Sequence, residues 1–248
     1  MTDWSLILEA TQPIRLAGTL LRLVESQEQV ATNRLVASLD RQALLEDMLE
    51  ATKPHKRKGT ESLHYLLATP FRYPPLKHGS RFGTRGELSL FYGSLTTQTV
   101  LAEAAYYRFV FWQGMATPPA GKFDTQHTLF SAAYRTGQGL RLQAPPFDQH
   151  RAELASPSDY QASQALGMAM RTAGIEAFEF VSARDPEAGI NIALFTPKAF
   201  ARKVPVSQET WLCELGGERV RFRAARGRDI HDFPLGVFQV AGRLPWPA

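Results

Sequence analysis

The chain of 248 residues has a single cysteine, Cys213. One thiol excludes an intramolecular disulfide framework and fits a reducing compartment. Cys213 lies in an apolar, strand-like run between Leu212 and Glu214. That is the setting of a buried structural thiol rather than of a reactive one, which needs an electropositive, partly open environment. Long apolar runs are also missing. Nothing approaches the roughly 18 residues of a spanning helix, and no charged start leads through an apolar core to a small-residue cleavage site. The expected address is therefore cytoplasmic, with no membrane contact. The sequence contains no GxxxxGK[ST] loop, no HExxH and no paired CxxC, so P-loop hydrolysis, zincin chemistry and zinc ribbons lack their usual support. Its six histidines show no metal-ligand spacing, and no metal is expected. Neither sign of charge dominates. A net charge of +4 with a pI near 9.3 favours an anionic partner, whether a phosphate-bearing ligand, a nucleic acid or an acidic protein, without choosing among them.

What is present suits one substantial core: 44% of residues are hydrophobic and 21% charged, the balance of an ordinary globular chain. From Thr11 to about Glu50, Ile14, Leu20, Leu21, Val24, Leu35, Val36 and Leu39 recur at helix-like intervals, and Asp40 is placed to cap a second helix. Residues 1–58 thus read as a helical N-terminal extension, ending in the basic connector KPHKRK, either a solvated loop or a contact for a phosphate backbone. Residues 59–248 read as the main domain. Within it, the richest stretch runs from Arg72 to Arg108: an Arg-bearing Gly/Pro loop, alternating residues from Leu88 to Tyr92 that predict a strand, and a helix from Thr96 or Thr97 to Gly114 carrying Glu103.

Residues 115–150, rich in Pro, Gly and polar types, read as an edge insertion with short strands at 128–134 and 140–142. Ser158 and Gln161 have capping-box spacing for a helix to Gly174. Ala177–Val181 and Ile190–Phe195 predict two buried strands. WLCEL and RVRFRA flank Gly216 and Gly217 as a hairpin whose turn accepts positive φ. Arg219, Arg221 and Arg223 share one face of that hairpin, either a solvated or partner-facing edge or a nucleic-acid surface.

Three ordered segments, GSRFG at 79–83 leading to LFYGS at 90–94, LAEAAYYR at 101–108 and FEFVSARDPEAGINIALFTPKAF at 178–200, together resemble the RES-domain family, named for its Arg, Glu and Ser. The departures are Arg81-Phe82 where Arg-Trp is common, the 115–150 stretch, and Thr196-Pro197 where Asn-Pro is frequent. The resemblance implies an α+β fold with a mixed sheet core similar to the ADP-ribosyltransferase toxins. It also implies cleavage of the nicotinamide glycosidic bond of NAD, by water or by inorganic phosphate, in a toxin that depletes NAD. The implied partners are a helix-turn-helix antitoxin and a second copy in a homodimer. NAD would be substrate, and no cofactor is needed.

The chemistry of that reaction assigns roles. Nicotinamide departs neutral from a cationic ring, so the transition state resembles an oxocarbenium ion, and a carboxylate beside it stabilises the growing charge. Glu103 fits that task. Guanidinium groups bind phosphate oxygens in pairs, which suits Arg81 between Gly79 and Gly83, and Arg72 as a second candidate. Tyr92 could stack on nicotinamide or bond a ribose, and Ser182 could donate to nicotinamide or phosphate. Tyr106, Tyr107 and Trp112 are expected in the core. The alternative is a noncatalytic protein that binds a nucleotide in the same pocket or nucleic acid on the basic C-terminal face.

Overall fold

The computed structural model describes residues 2–26 and 38–246. The fold is α+β, with one eight-stranded mixed sheet. Its strands are β1 (Ile14–Glu25), β2 (Phe91–Ser94), β3 (Phe123–Arg141), β4 (Ala177–Val181), β5 (Ile190–Leu194), β6 (Ser207–Leu215), β7 (Arg219–Ala224) and β8 (Ile230–Pro234). Helices α1 (Trp4–Glu9), α2 (Leu39–Thr52), α3 (Tyr65–Arg72), α4 (Thr97–Gln113), α5 (Arg151–Leu154) and α6 (Gln161–Thr172) surround it.

The strand order β1-β2-β5-β4-β3-β6-β7-β8 carries one further pairing, β1 with β3. That pairing closes β1, β2, β5, β4 and β3 into a ring, from which β6, β7 and β8 extend as a sheet. The long β3 makes this geometry. It pairs with β6 over residues 123–131, with β1 over 127–139, and in parallel with β4 at 139–141. All other neighbours are antiparallel.

The structure departs from the expected elements in several places, two of them large. The stretch read as helical from Thr11 is strand β1 through Glu25, so the N-terminal extension is not wholly helical and supplies one wall of the ring. Leu20 and Val24, which pack in one apolar cluster, explain the helical reading. A spacing of four keeps two residues on one face of a helix and equally on one face of a strand. Leu35 and Val36, read as part of that helix, lie outside the described residues. The helix after them exists as α2, capped by Ser38, whose Oγ accepts Arg41 N at 3.3 Å, with Asp40 in its first turn. The second correction concerns residues 115–150. They hold the longest strand, β3, in the middle of the sheet rather than an insertion at its edge.

Most other elements follow the sequence. Thr96 Oγ1 accepts Thr99 N at 3.1 Å and starts α4, and Gly114 ends it. The capping box at Ser158 does not form. Asp159 Oδ1 accepts Gln161 N instead, at 2.8 Å, and Gly174, at φ +74°, lies just beyond the end of α6. The hairpin of β6 and β7 turns at Gly216 and Gly217, as expected, but neither adopts positive φ. Gly217 is favoured by a close approach, since a Cβ there would lie 3.0 Å from Trp112 Nε1. Cys213 is buried, and burial pushes its thiol up to about 11. On β7, Arg219 and Arg221 both pair with Asp232, at 2.7 and 3.1 Å, which offsets one of the three positive charges on that face.

Three apolar clusters hold the layers. Helix α4 buries Leu101, Ala105, Tyr106 and Phe109 against Trp211, Val220 and Phe222 of the open sheet. Helix α6 packs Leu166 and Met170 with Phe82, Phe178 and Phe180. Helix α3 sets Leu67 and Phe71 against Leu20, Phe91 and Phe130. A cleft remains where α4, β1, β2, β5 and the loop around Arg81 converge. Among the described residues, no helix is long and apolar enough to cross a membrane.

Candidate active site

The cleft has a volume of about 310 Å³ and is lined by residues distant in sequence, among them Arg22, Arg81, Tyr92, Glu103, Tyr107, Tyr160, Arg184 and Asn191. Three guanidinium groups and one carboxylate face it, so the cleft carries a net positive charge suited to an anion.

Glu103 comes from the N-terminal half of α4 and is held from two strands. Ser182, just after β4, donates its hydroxyl to Glu103 Oε1 at 2.6 Å. Asn191 in β5 donates Nδ2 to the same oxygen at 2.6 Å. Both donors are fixed from behind. Ser182 Oγ accepts the N–H groups of Arg184 and Asp185 at 3.1 and 3.0 Å, so its own proton is directed to Glu103. Asn191 Oδ1 accepts Ser94 Oγ at 2.6 Å, which sets which end of the amide faces the carboxylate. The second oxygen, Oε2, has no partner among the described residues. The loop bearing Ser182 is itself tied to α4 by Thr99 Oγ1, which donates to Asp185 Oδ2 at 2.8 Å.

The opposite wall is the loop around Arg81. Phe82 anchors it: the ring is fully buried with edge contacts to Phe178 and Phe180, centroids 4.8 Å away in each case. Such burial stabilises the loop by about 1.5–3 kcal/mol. The Tyr92 hydroxyl accepts Phe82 N at 3.2 Å and bonds Ser80 Oγ at 2.9 Å, and burial pushes the Tyr92 phenol up. Gln164 of α6 donates to the carbonyls of His78 and Ser80, both at 3.1 Å. Gly79, at φ +76°, allows the turn. Arg81 donates Nη1 to the carbonyls of Leu154 and Ser156 at 3.2 and 2.8 Å, and lies 4.6 Å from the Tyr160 ring centroid.

Two further arginines complete the cationic lining. Arg184 is buried, stacks 3.5 Å from the Tyr106 ring centroid and donates Nη2 to Pro157 O at 2.6 Å. Arg22, from β1, donates Nη1 to Tyr92 O at 2.6 Å, while its Nε is buried without a partner among the described residues. Burial lowers the Arg22 guanidinium to about 10. A buried, unsatisfied N–H beside an anion-sized cleft is the kind of group a ligand satisfies.

Of the five residues singled out from the sequence, the structure therefore gathers Arg81, Tyr92 and Glu103 on the cleft wall. Ser182 is buried behind Glu103 rather than on the wall; it orients the carboxylate and does not line the cleft. Arg72 is excluded: it bonds Glu50 at 2.7 Å and the Pro54 carbonyl, away from the cleft. Arg22, Arg184, Asn191 and Tyr160 were missed. Arg22 was hidden by the helical reading of β1, and Asn191 stood only as the start of a strand. Tyr106 is in the core, but Tyr107 is half exposed and lines the cleft. Its position four residues after Glu103, one helical turn along the same face, was the available signal.

The model of the RES domain matches residues 56–215. The chain belongs to the RES-domain family. Glu103, Arg81, Tyr92, Ser182 and Asn191 all fall within the RES match, whereas Arg22 precedes it. No curated protein matches the chain. Among solved structures, the chain is similar to one in the crystal structure of the M. tuberculosis MbcT-MbcA toxin-antitoxin complex. The two are 10% identical, the likeness covers 82% of this chain and 92% of that chain, and the TM-score is 0.46.

Proposed function

We propose that this RES domain cleaves the bond between nicotinamide and ribose in NAD and acts as an NAD-depleting toxin held in check by an antitoxin protein. The observation that carries the reading is Glu103, fixed through one oxygen by Ser182 and Asn191 with the other oxygen unpartnered, in a cleft lined by three arginines.

The chemistry follows from those groups. The C1′–N bond breaks with its electron pair passing to the pyridinium nitrogen, so nicotinamide leaves neutral and needs no general acid. Positive charge then develops on the ribose ring, and the Glu103 carboxylate, already desolvated on one side and oriented, stabilises it without reorganising. Arg22 and Arg81 hold the diphosphate, where guanidinium groups bind phosphate oxygens more specifically than lysine. Tyr92 fixes the Arg81 loop through its hydroxyl, and its ring forms part of the wall. Water captures the ribosyl cation to give ADP-ribose and a proton; inorganic phosphate would give the ribosyl phosphate instead.

The test is nicotinamide release from NAD by purified protein, with and without inorganic phosphate. Glu103→Gln should bind NAD yet lose about 10²- to 10³-fold in turnover, the usual effect of removing one preorganised electrostatic contact. Release by the variant at the wild-type rate, or none by the wild type, removes the assignment.

A further inference from the structure

A second concavity continues from the first along α4. It is lined by Glu25, Tyr107, Arg108, Phe111, Phe123 and Thr125, with a volume of about 320 Å³, and it shares Tyr107 with the cleft. We propose that this groove binds the adenosine half of the dinucleotide, with Phe111 and Tyr107 as its base platform. The inference rests on the NAD reading above and extends it to the remote end of the substrate.

Three observations carry it. The first is size. The cleft at about 310 Å³ lies at the lower end of the roughly 300–1,000 Å³ that encloses a drug-sized ligand. A dinucleotide is larger, so half of it must lie elsewhere. The second is direction. Glu103, Tyr107 and Phe111 recur every four residues on α4, which places them along one face. At about 1.5 Å per residue, Phe111 is about 12 Å beyond Glu103 along the axis. On the facing strand the lining runs in the same sense, from Arg22 and Leu23 in the cleft to Glu25 in the groove. A ligand with its nicotinamide ribose at Glu103 and its diphosphate at Arg22 is thus led toward Phe111.

The third is chemistry. Phe111 is 53% exposed and Tyr107 50%, so two aromatic side chains one turn apart stand open to a ligand beside the charged cleft. Phe111 is braced by Phe123 at 6.4 Å, and Phe123 by Trp112 at 5.9 Å and nearly parallel. The rim carries the Arg108–Glu25 pair at 2.8 Å. Glu25 is well exposed, so it can accept from an exocyclic amine or from ribose hydroxyls. An aromatic face with a polar rim is what a nucleobase and its ribose need.

The experiment measures, by calorimetry, the affinity of Glu103→Gln protein for NAD, nicotinamide mononucleotide and AMP, with Phe111 as Phe, Ala or Trp. Phe111 is exposed, so neither substitution burdens the core. Phe111→Ala should weaken NAD and AMP roughly tenfold or more, the effect of losing one base-stacking aromatic, and leave nicotinamide mononucleotide unchanged. Phe111→Trp should retain NAD affinity. Unchanged NAD affinity in Phe111→Ala, or an equal loss for nicotinamide mononucleotide, overturns the adenosine site while leaving the Glu103 chemistry standing. Failure of the wild-type protein to release nicotinamide instead overturns the underlying reading.

Discussion

Replacing Asn191 by aspartate keeps the shape of the side chain and the Ser94 hydroxyl bond to Oδ1, but substitutes an oxygen for the Nδ2 that donates to Glu103 at 2.6 Å. Two carboxylates then meet where a donor met an acceptor. With charge centres about 4 Å apart and an effective dielectric of about 20, their repulsion is about 4 kcal/mol. With one proton shared, the new carboxyl can still donate to Glu103 Oε1 as the Asn191 amide does, so Glu103 stays charged and oriented. Loss of that proton at higher pH sets two like charges together and turns the carboxylate away from the ribose. The variant's kcat should therefore fall as pH rises, by about tenfold or more. Binding of NAD should change less than kcat, because Asn191 acts through Glu103. The assay is nicotinamide release against pH for wild type and Asn191→Asp. A variant whose kcat profile overlays the wild type would refute the idea that Asn191 controls the carboxylate.

Two further predictions concern the frame. Gly167 of α6 packs against the Phe82 backbone carbonyl, and a Cβ there would overlap backbone that has no freedom to yield. Gly167→Ala should cost about 1–3 kcal/mol and raise the KM for NAD by moving the Arg81 loop; thermal unfolding at the wild-type temperature would contradict this. His127 is buried, and burial holds its imidazole down to about 4, below the roughly 6.5 of an unfolded histidine. The unfolded chain therefore takes up a proton first, and stability falls as pH drops from about 6.5 toward 4, by about 2 kcal/mol at pH 5. Urea unfolding of wild type and His127→Gln at pH 7 and pH 5 should show that difference narrowing in the variant; parallel profiles would sink it.

Legibility in the sequence followed the range of the forces involved. Helix α4 was readable because its cap, Thr96, and its terminator, Gly114, lie at its own ends. Strands β4 and β5 were readable as apolar runs bounded by turns. Strand β1 was not, because Leu20 and Val24 are spaced by four and its pairing with β3 begins more than a hundred residues away. The same distance hid the role of Ser182. It was singled out as a ligand contact, whereas its hydroxyl is consumed by Glu103, 79 residues earlier. Arg72 failed for a related reason: a guanidinium in a Gly/Pro-rich segment signals anion binding only if no carboxylate reaches it, and Glu50 does.

By itself, the sequence determined the residue types the chemistry needs: a helix-borne carboxylate, an arginine in a glycine-flanked loop and a serine after a buried strand, in an order that placed the chain in its family. Local propensities and short motifs are written in neighbouring residues, so they survive without coordinates. Tertiary structure alone decided which groups meet. Closure of the ring by β1 brought Arg22 to the cleft and β5 brought Asn191 to Glu103, 88 residues apart. Such contacts depend on strand pairing and packing between distant segments, whose energy is spread over many side chains and leaves no mark at any one position.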